Sequence, residues 1–67
     1  MSFSQTVTAL RIERSRRLLR EAPAMTIAEI AFASGFDSLA TFYRVFRAVQ
    51  GVTPGDFRDA TIREAAQ

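Results

Sequence analysis

Thr26-Ile27-Ala28-Glu29-Ile30-Ala31-Phe32-Ala33-Ser34-Gly35-Phe36-Asp37-Ser38-Leu39-Ala40-Thr41-Phe42-Tyr43-Arg44-Val45-Phe46-Arg47 holds two helical patterns with a tight corner between them. Thr26 and Glu29 stand three apart, as in a capping box: the threonine hydroxyl accepts from the third helical amide and the glutamate reaches back to the cap. Ile27, Ile30, Ala31 and Ser34 then fall on one face. Gly35 suits the left-handed position just past a helix end, where a Cβ would clash. Only Phe36 and Asp37 separate it from a second cap, Ser38, which opens a longer helix reaching about Gln50. Its apolar stripe reads Leu39, Phe42, Phe46 and Val49, and Gly51 ends it. Two helices joined by a short glycine-containing turn form a helix-turn-helix pattern. Phe36 is placed to plug the corner, which leaves the outer face of the second helix free.

The flanks add a helix on each side. Upstream, about Ser4 to Glu21 repeats apolar or small residues at Thr8, Ile12, Ser15, Leu19 and Ala22, with Leu18 beside them, and Pro23 stops the helix. Downstream, Thr53-Pro54 is a cap followed by a first-turn proline, whose missing amide would be unpaired anyway. That last helix is expected over about 54–63, anchored by Phe57, with Glu64 to Gln67 fraying. No stretch alternates with the period of a strand. The expected fold is all-α: a small bundle of about four helices, homeodomain-like, over residues 1–67 as one subdomain.

Composition narrows the function. The chain has 67 residues, so it holds one small domain with a thin core. It has no cysteine and no histidine, which removes disulfides, thiolate or imidazole metal sites and histidine-dependent catalysis. Hydroxyls such as Tyr43 have no evident base partner, so no enzyme, cofactor or metal is expected. Apolar residues make up 48% and charged residues 24%, as in a globular domain. No apolar run approaches the length of a membrane span or a signal peptide, so a cytoplasmic module is expected.

Nine arginines and no lysine oppose seven acids, for a net charge of +2. Arginine presents a planar fork that fits phosphate and guanine edges. Residues 1–20 hold five arginines and one glutamate, whereas residues 51–67 hold two arginines and three acids. On the first helix Arg14, Arg17 and Arg20 project from the apolar face, and Glu13 is placed to pair with Arg17. They serve as a solvated surface, as phosphate contacts or as a partner surface. Phe3 and Val7 either mark the place where another domain packs or begin the core.

Stepping about 100° per residue from Leu39 puts Phe42, Phe46 and Val49 between about 280° and 340°. Ala40, Tyr43, Arg44 and Arg47 then face away, between about 40° and 140°. Two arginines and a tyrosine on one outward arc suit a DNA groove, where arginine donates to guanine or phosphate.

The run Gly35-Phe36-Asp37-Ser38-Leu39-Ala40-Thr41-Phe42-Tyr43-Arg44-Val45-Phe46-Arg47, followed by Gly51-Val52-Thr53-Pro54-Gly55-Asp56-Phe57-Arg58, closely resembles the signature of the AraC/XylS family of bacterial transcription regulators. That signature is GF, a serine two residues on, F-x-R-x-F-K/R, and G-x-S/T-P-x-x-Y/F-R. Residues 11–19 and 27–31 sit where the family has its connecting helix and first motif helix, so the resemblance covers roughly residues 8–60. It implies the connecting helix plus the second of two helix-turn-helix units, each placing one recognition helix in the major groove.

By resemblance the base-reading positions are Leu39, Ala40, Tyr43 and Arg44, and Ser38, Arg47 and Arg58 are phosphate contacts, with a structural pair as the alternative for the two arginines. Leu39 and Ala40 lack hydrogen-bonding side chains, so they offer only apolar contact, for instance to a thymine methyl. The first unit and an effector domain are missing from these residues, which implies a fragment of a longer regulator or a free-standing half. Implied partners are double-stranded DNA, RNA polymerase, and the missing unit, the effector domain or a homodimer mate. Two further function classes stay open. One is a protein-interaction module contacting polymerase or a partner regulator without binding DNA alone. The other is a basic amphipathic helix on anionic lipid, resting on residues 9–20.

Overall fold

We describe residues 3–65 of a computed structural model, with side chains from Val7 onward. Four helices occupy them: α1 (Phe3–Glu21), α2 (Ile27–Ala33), α3 (Leu39–Gln50) and α4 (Pro54–Ala65). α1 packs against α2 and α4, and α3 closes the bundle by touching both of these. No strand is present among the described residues, and no helix there is long and apolar enough to cross a membrane.

The α2–α3 corner forms as its residues dictate. The Thr26 hydroxyl accepts from the Glu29 amide at 3.1 Å, and the Thr26 amide donates to the Glu29 carboxylate at 2.8 Å. At the other end the Gly35 amide donates to the Phe32 carbonyl and the Phe36 amide to the Ala31 carbonyl, both at 3.1 Å. This is the double closure that a left-handed residue after a helix permits, and Gly35 has φ +99°. A Cβ there would lie 3.2 Å from Nε of Arg11, whose side chain crosses the turn from α1. Gly51, which ends α3, has φ +81° and open space around it. Gly35→Ala is therefore expected to destabilise by roughly 1–2 kcal/mol from the backbone alone, plus a steric contribution from Arg11. Gly51→Ala loses only the backbone part. Thermal melts of the two variants measure the difference, and equal losses would mean that Arg11 moves aside freely.

The bond from the Thr26 amide, with a smaller contribution from the neighbouring Thr26 hydroxyl, favours the ionised Glu29 carboxylate, so its pKa lies below the ordinary 4.5. A lowered folded value stabilises the fold above the unfolded pKa, and that contribution is lost as pH falls from about 4.5 through the folded value. Glu29→Gln should flatten this acid limb in a stability-against-pH series while leaving the neutral-pH fold intact. A limb unchanged by the substitution would assign the acid sensitivity to other carboxylates.

The core is Ile12, Leu19, Ile30, Ala31, Phe36, Phe42 and Phe46, with Leu18, Met25, Ile27, Val45 and Phe57 packed against it. A chain of rings runs through it: Phe36 to Phe42 at 5.1 Å between centroids, Phe42 to Phe46 at 5.6 Å, and Phe46 to Phe57 at 5.6 Å edge-on. Offset and edge-on pairs at these distances are attractive beyond their buried area. Ser15 is fully buried and donates to the Ile12 carbonyl at 2.7 Å, so a small polar residue sits on the packed face of α1 without a loose hydroxyl.

Several expectations need correction. Leu39 is 37% exposed and Val49 56% exposed, so neither belongs to the core stripe of α3. Val49 has the right angle but lies at the far end of the helix; helical phase decides direction, not depth. Glu13 pairs with Arg16 at 2.9 Å rather than with Arg17, because a three-residue spacing serves as well as four. α1 begins at Phe3, one residue early. α4 continues to Ala65, so Glu64 is helical and not frayed, while residues 66–67 lie outside the described residues. Phe57 is half-buried, and Pro54 is the fully buried residue of α4. Val7 is half-buried; the side chain of Phe3 lies outside the described ones.

Candidate nucleic-acid interface

The exposed face of α3 is set by what the opposite face must bury. Phe42 and Phe46 are fully buried, which turns Ala40, Tyr43, Arg44 and Arg47 to the surface, where all four are exposed. Ser38 fixes the start of the helix. Its hydroxyl accepts from the Thr41 amide at 3.1 Å and donates to the Thr41 hydroxyl at 2.9 Å. With the Phe42 amide on the Ser38 carbonyl, the amides of Leu39 and Ala40 remain as first-turn donors that helix geometry leaves without intrahelical partners. They sit at the positive end of the helix dipole.

The electrostatics of this face are one-sided. α3 contains Arg44 and Arg47 and no acid. Among the described residues neither arginine makes a side-chain hydrogen bond or an ion pair, in contrast to Arg16, which is held by Glu13. Tyr43 leans its ring edge-on against Phe42 at 6.1 Å and is 37% exposed, so its ring is positioned from below. Leu39, at the same exposure, continues the surface toward the helix start.

Of the residues singled out from sequence, Leu39, Ala40, Tyr43, Arg44 and Arg47 share α3, and Ser38 caps it. Arg58 stands apart on α4. Its Nη1 donates to the Met25 carbonyl at 2.7 Å, tying α4 to the loop before α2, and the residue is half-buried. Arg14, Arg17 and Arg20 are exposed along α1. A cleft of about 230 Å³ lies beside that helix, lined by Val7, Leu10, Arg11, Arg14, Ser34 and Gly35. Leu10 there is 66% exposed, and the buried Ser34 hydroxyl has no hydrogen-bond partner among the described residues. Sequence reasoning missed the position of Arg11 across Gly35, the Arg58 strap, and Phe32, which is 55% exposed on α2. The first two join distant segments and have no local signal. The third was legible, since Phe32 lies off the Ile27–Ile30–Ser34 face.

Comparison with known proteins agrees with this geometry. A family model described as a helix-turn-helix domain matches residues 1–60. The chain belongs to the AraC-type helix-turn-helix family. Among curated relatives in that family, it is 41% identical over 56 residues to the HTH-type transcriptional regulator GlxA of Rhizobium meliloti (strain 1021), covering 84% of this chain and 17% of that protein. It is 40% identical over 58 residues to the transcriptional activator RhrA of the same organism, covering 85% of this chain and 18% of the relative. The chain thus spans less than a fifth of the length of these AraC-family relatives. No solved structure matches it.

Proposed function

We propose that this chain is a DNA-binding module of a bacterial transcription regulator and enters the major groove with α3. The observation that carries this is the acid-free outer face of α3, where Tyr43, Arg44 and Arg47 are exposed and the two cations lack partners among the described residues. A recognition helix places its N-terminal residues at base edges. Leu39, Ala40, Tyr43 and Arg44 are accordingly the base contacts, Arg44 having the strongest hydrogen-bonding potential. Arg47 binds phosphate. Ser38 contributes through the cap, which aims the Leu39 and Ala40 amides outward as phosphate donors. The guanidinium donors of Arg58 not used on Met25 remain for a phosphate.

A single unit buries a small interface, so its affinity for generic duplex is expected in the micromolar range or weaker. Useful specificity then calls for a second unit or a second copy, and the cleft beside α1 with exposed Leu10 is where a neighbouring unit of the regulator packs. Contact with RNA polymerase, and action in the cytoplasm on the nucleoid, follow from the same role.

The test is fluorescence anisotropy of a labelled random-sequence duplex titrated with the chain across a salt series. Counterion release predicts log affinity falling linearly with log salt, with a slope near −0.9 for each phosphate neutralised. No binding at low salt, with the helices shown intact by circular dichroism, would turn the assignment toward a protein-interaction module.

A further inference from the structure

The outer face of α3 changes character along its length. The outer side chains of its first turn offer only carbon: Leu39 is 37% exposed, Ala40 is exposed, and neither side chain has a donor or an acceptor. The following turns offer Tyr43, Arg44 and Arg47. Base edges in the major groove divide in the same way. The C5 methyl of a pyrimidine is the apolar group there, and guanine presents two acceptors that match a guanidinium fork. Cytosine presents its amino donor with or without the methyl, so C5 methylation adds only an apolar group for such a turn to cover.

Spacing links the two halves of this face. Ala40 and Arg44 are four residues apart and so lie one above the other on the helix surface, about 6 Å along its axis. That is less than two base-pair rises of about 3.4 Å. A methyl touched by the first turn and a guanine bound by Arg44 therefore belong to the same or neighbouring steps. Leu39 and Ala40 lie outside the buried core of α3, which Phe42 and Phe46 form.

Resting on the DNA-binding assignment above, we infer that α3 selects sites by a pyrimidine C5 methyl beside a guanine. A thymine–guanine step and a 5-methylcytosine–guanine step then share the same methyl contact, and binding responds to cytosine methylation.

The experiment uses the whole chain and four labelled duplexes with identical flanks. Their central segments repeat one step, so that every register offers it: TG, UG, CG or 5-methyl-CG. Uracil differs from thymine, and cytosine from 5-methylcytosine, only by the methyl group. Anisotropy titrations should give about fourfold tighter binding per methyl group removed from water in each pair. The salt slope should be the same for all four, because the phosphates are unchanged. In the double variant Leu39→Ser/Ala40→Ser the methyl preference should vanish while salt-dependent binding persists, with circular dichroism confirming the helices. Salt-dependent binding with equal affinity inside each pair overturns the methyl assignment and leaves DNA binding standing. A preference that survives the double variant also overturns it. No salt-dependent binding to any of the four removes the DNA assignment and this inference together.

Discussion

Phe42→Ala is expected to remove a large share of the chain's folding stability. Phe42 is fully buried, and its ring lies against Phe36, which closes the α2–α3 corner, and against Phe46, which leads to Phe57 on α4. Removing it leaves a cavity in the core between Phe36 and Phe46. Truncating a buried phenylalanine costs about 3–5 kcal/mol. A chain of this length has roughly 3–10 kcal/mol of stability in all, and a thin core leaves little to absorb the loss. Urea denaturation followed by circular dichroism at 222 nm measures it (a wavelength at about the helical minimum). Val49→Ala is the matched control. By helical phase Val49 belongs with Phe42 and Phe46, but at 56% exposure it should change stability by no more than about 0.5 kcal/mol. A cooperative Phe42→Ala transition shifted by less than about 1 kcal/mol would show that the aromatic chain does not hold the bundle together.

That contrast marks how far the sequence could be read. The α2–α3 corner was legible because its determinants are local: a capping pair three residues apart, a glycine past a helix end, and a serine before the next helix. Each acts within a turn or two, and each bond formed as its spacing implied. The outward arc of α3 was legible for a related reason, since burying Phe42 and Phe46 determines what the other side presents. Depth along the helix was not legible. Val49 and Leu39 sit near the ends of α3, where the neighbours that would cover them depend on how the helices meet. The Arg58–Met25 bond joins residues 33 apart, and Arg11 reaches Gly35 from another helix. A pattern read within one element carries no information about such contacts. The same limit applied to charge: α3 was visibly basic, yet the lack of ion pairs on Arg44 and Arg47 among the described residues required the placement of the surrounding acids.

Arg44→Ala and Arg47→Ala are expected to weaken DNA binding in different ways. Both side chains are exposed and make no ion pair among the described residues, so neither truncation opens a cavity or strands a buried charge. Alanine is also the strongest helix former, so α3 should persist in both variants. Any loss of binding then reports a contact with DNA. Arg44 follows the first turn and, in the proposed docking, makes a bidentate bond to guanine. Its removal should cost about 1–3 kcal/mol on a selected site, roughly 5- to 150-fold in affinity, and should relax the preference at one base pair. Arg47 lies nearly a turn further on and, in the proposed docking, meets phosphate. Its loss should weaken all sequences to a similar degree and reduce the salt slope by about 1. Competition titrations with a selected and a scrambled duplex at several salt concentrations separate the two patterns. If both variants lose affinity evenly across sequences, each with a shallower slope, Arg44 is a second phosphate contact. Specificity in this unit would then reside in Leu39, Ala40 and Tyr43 alone, where apolar contact and one hydroxyl discriminate bases far less strongly than a guanidinium fork.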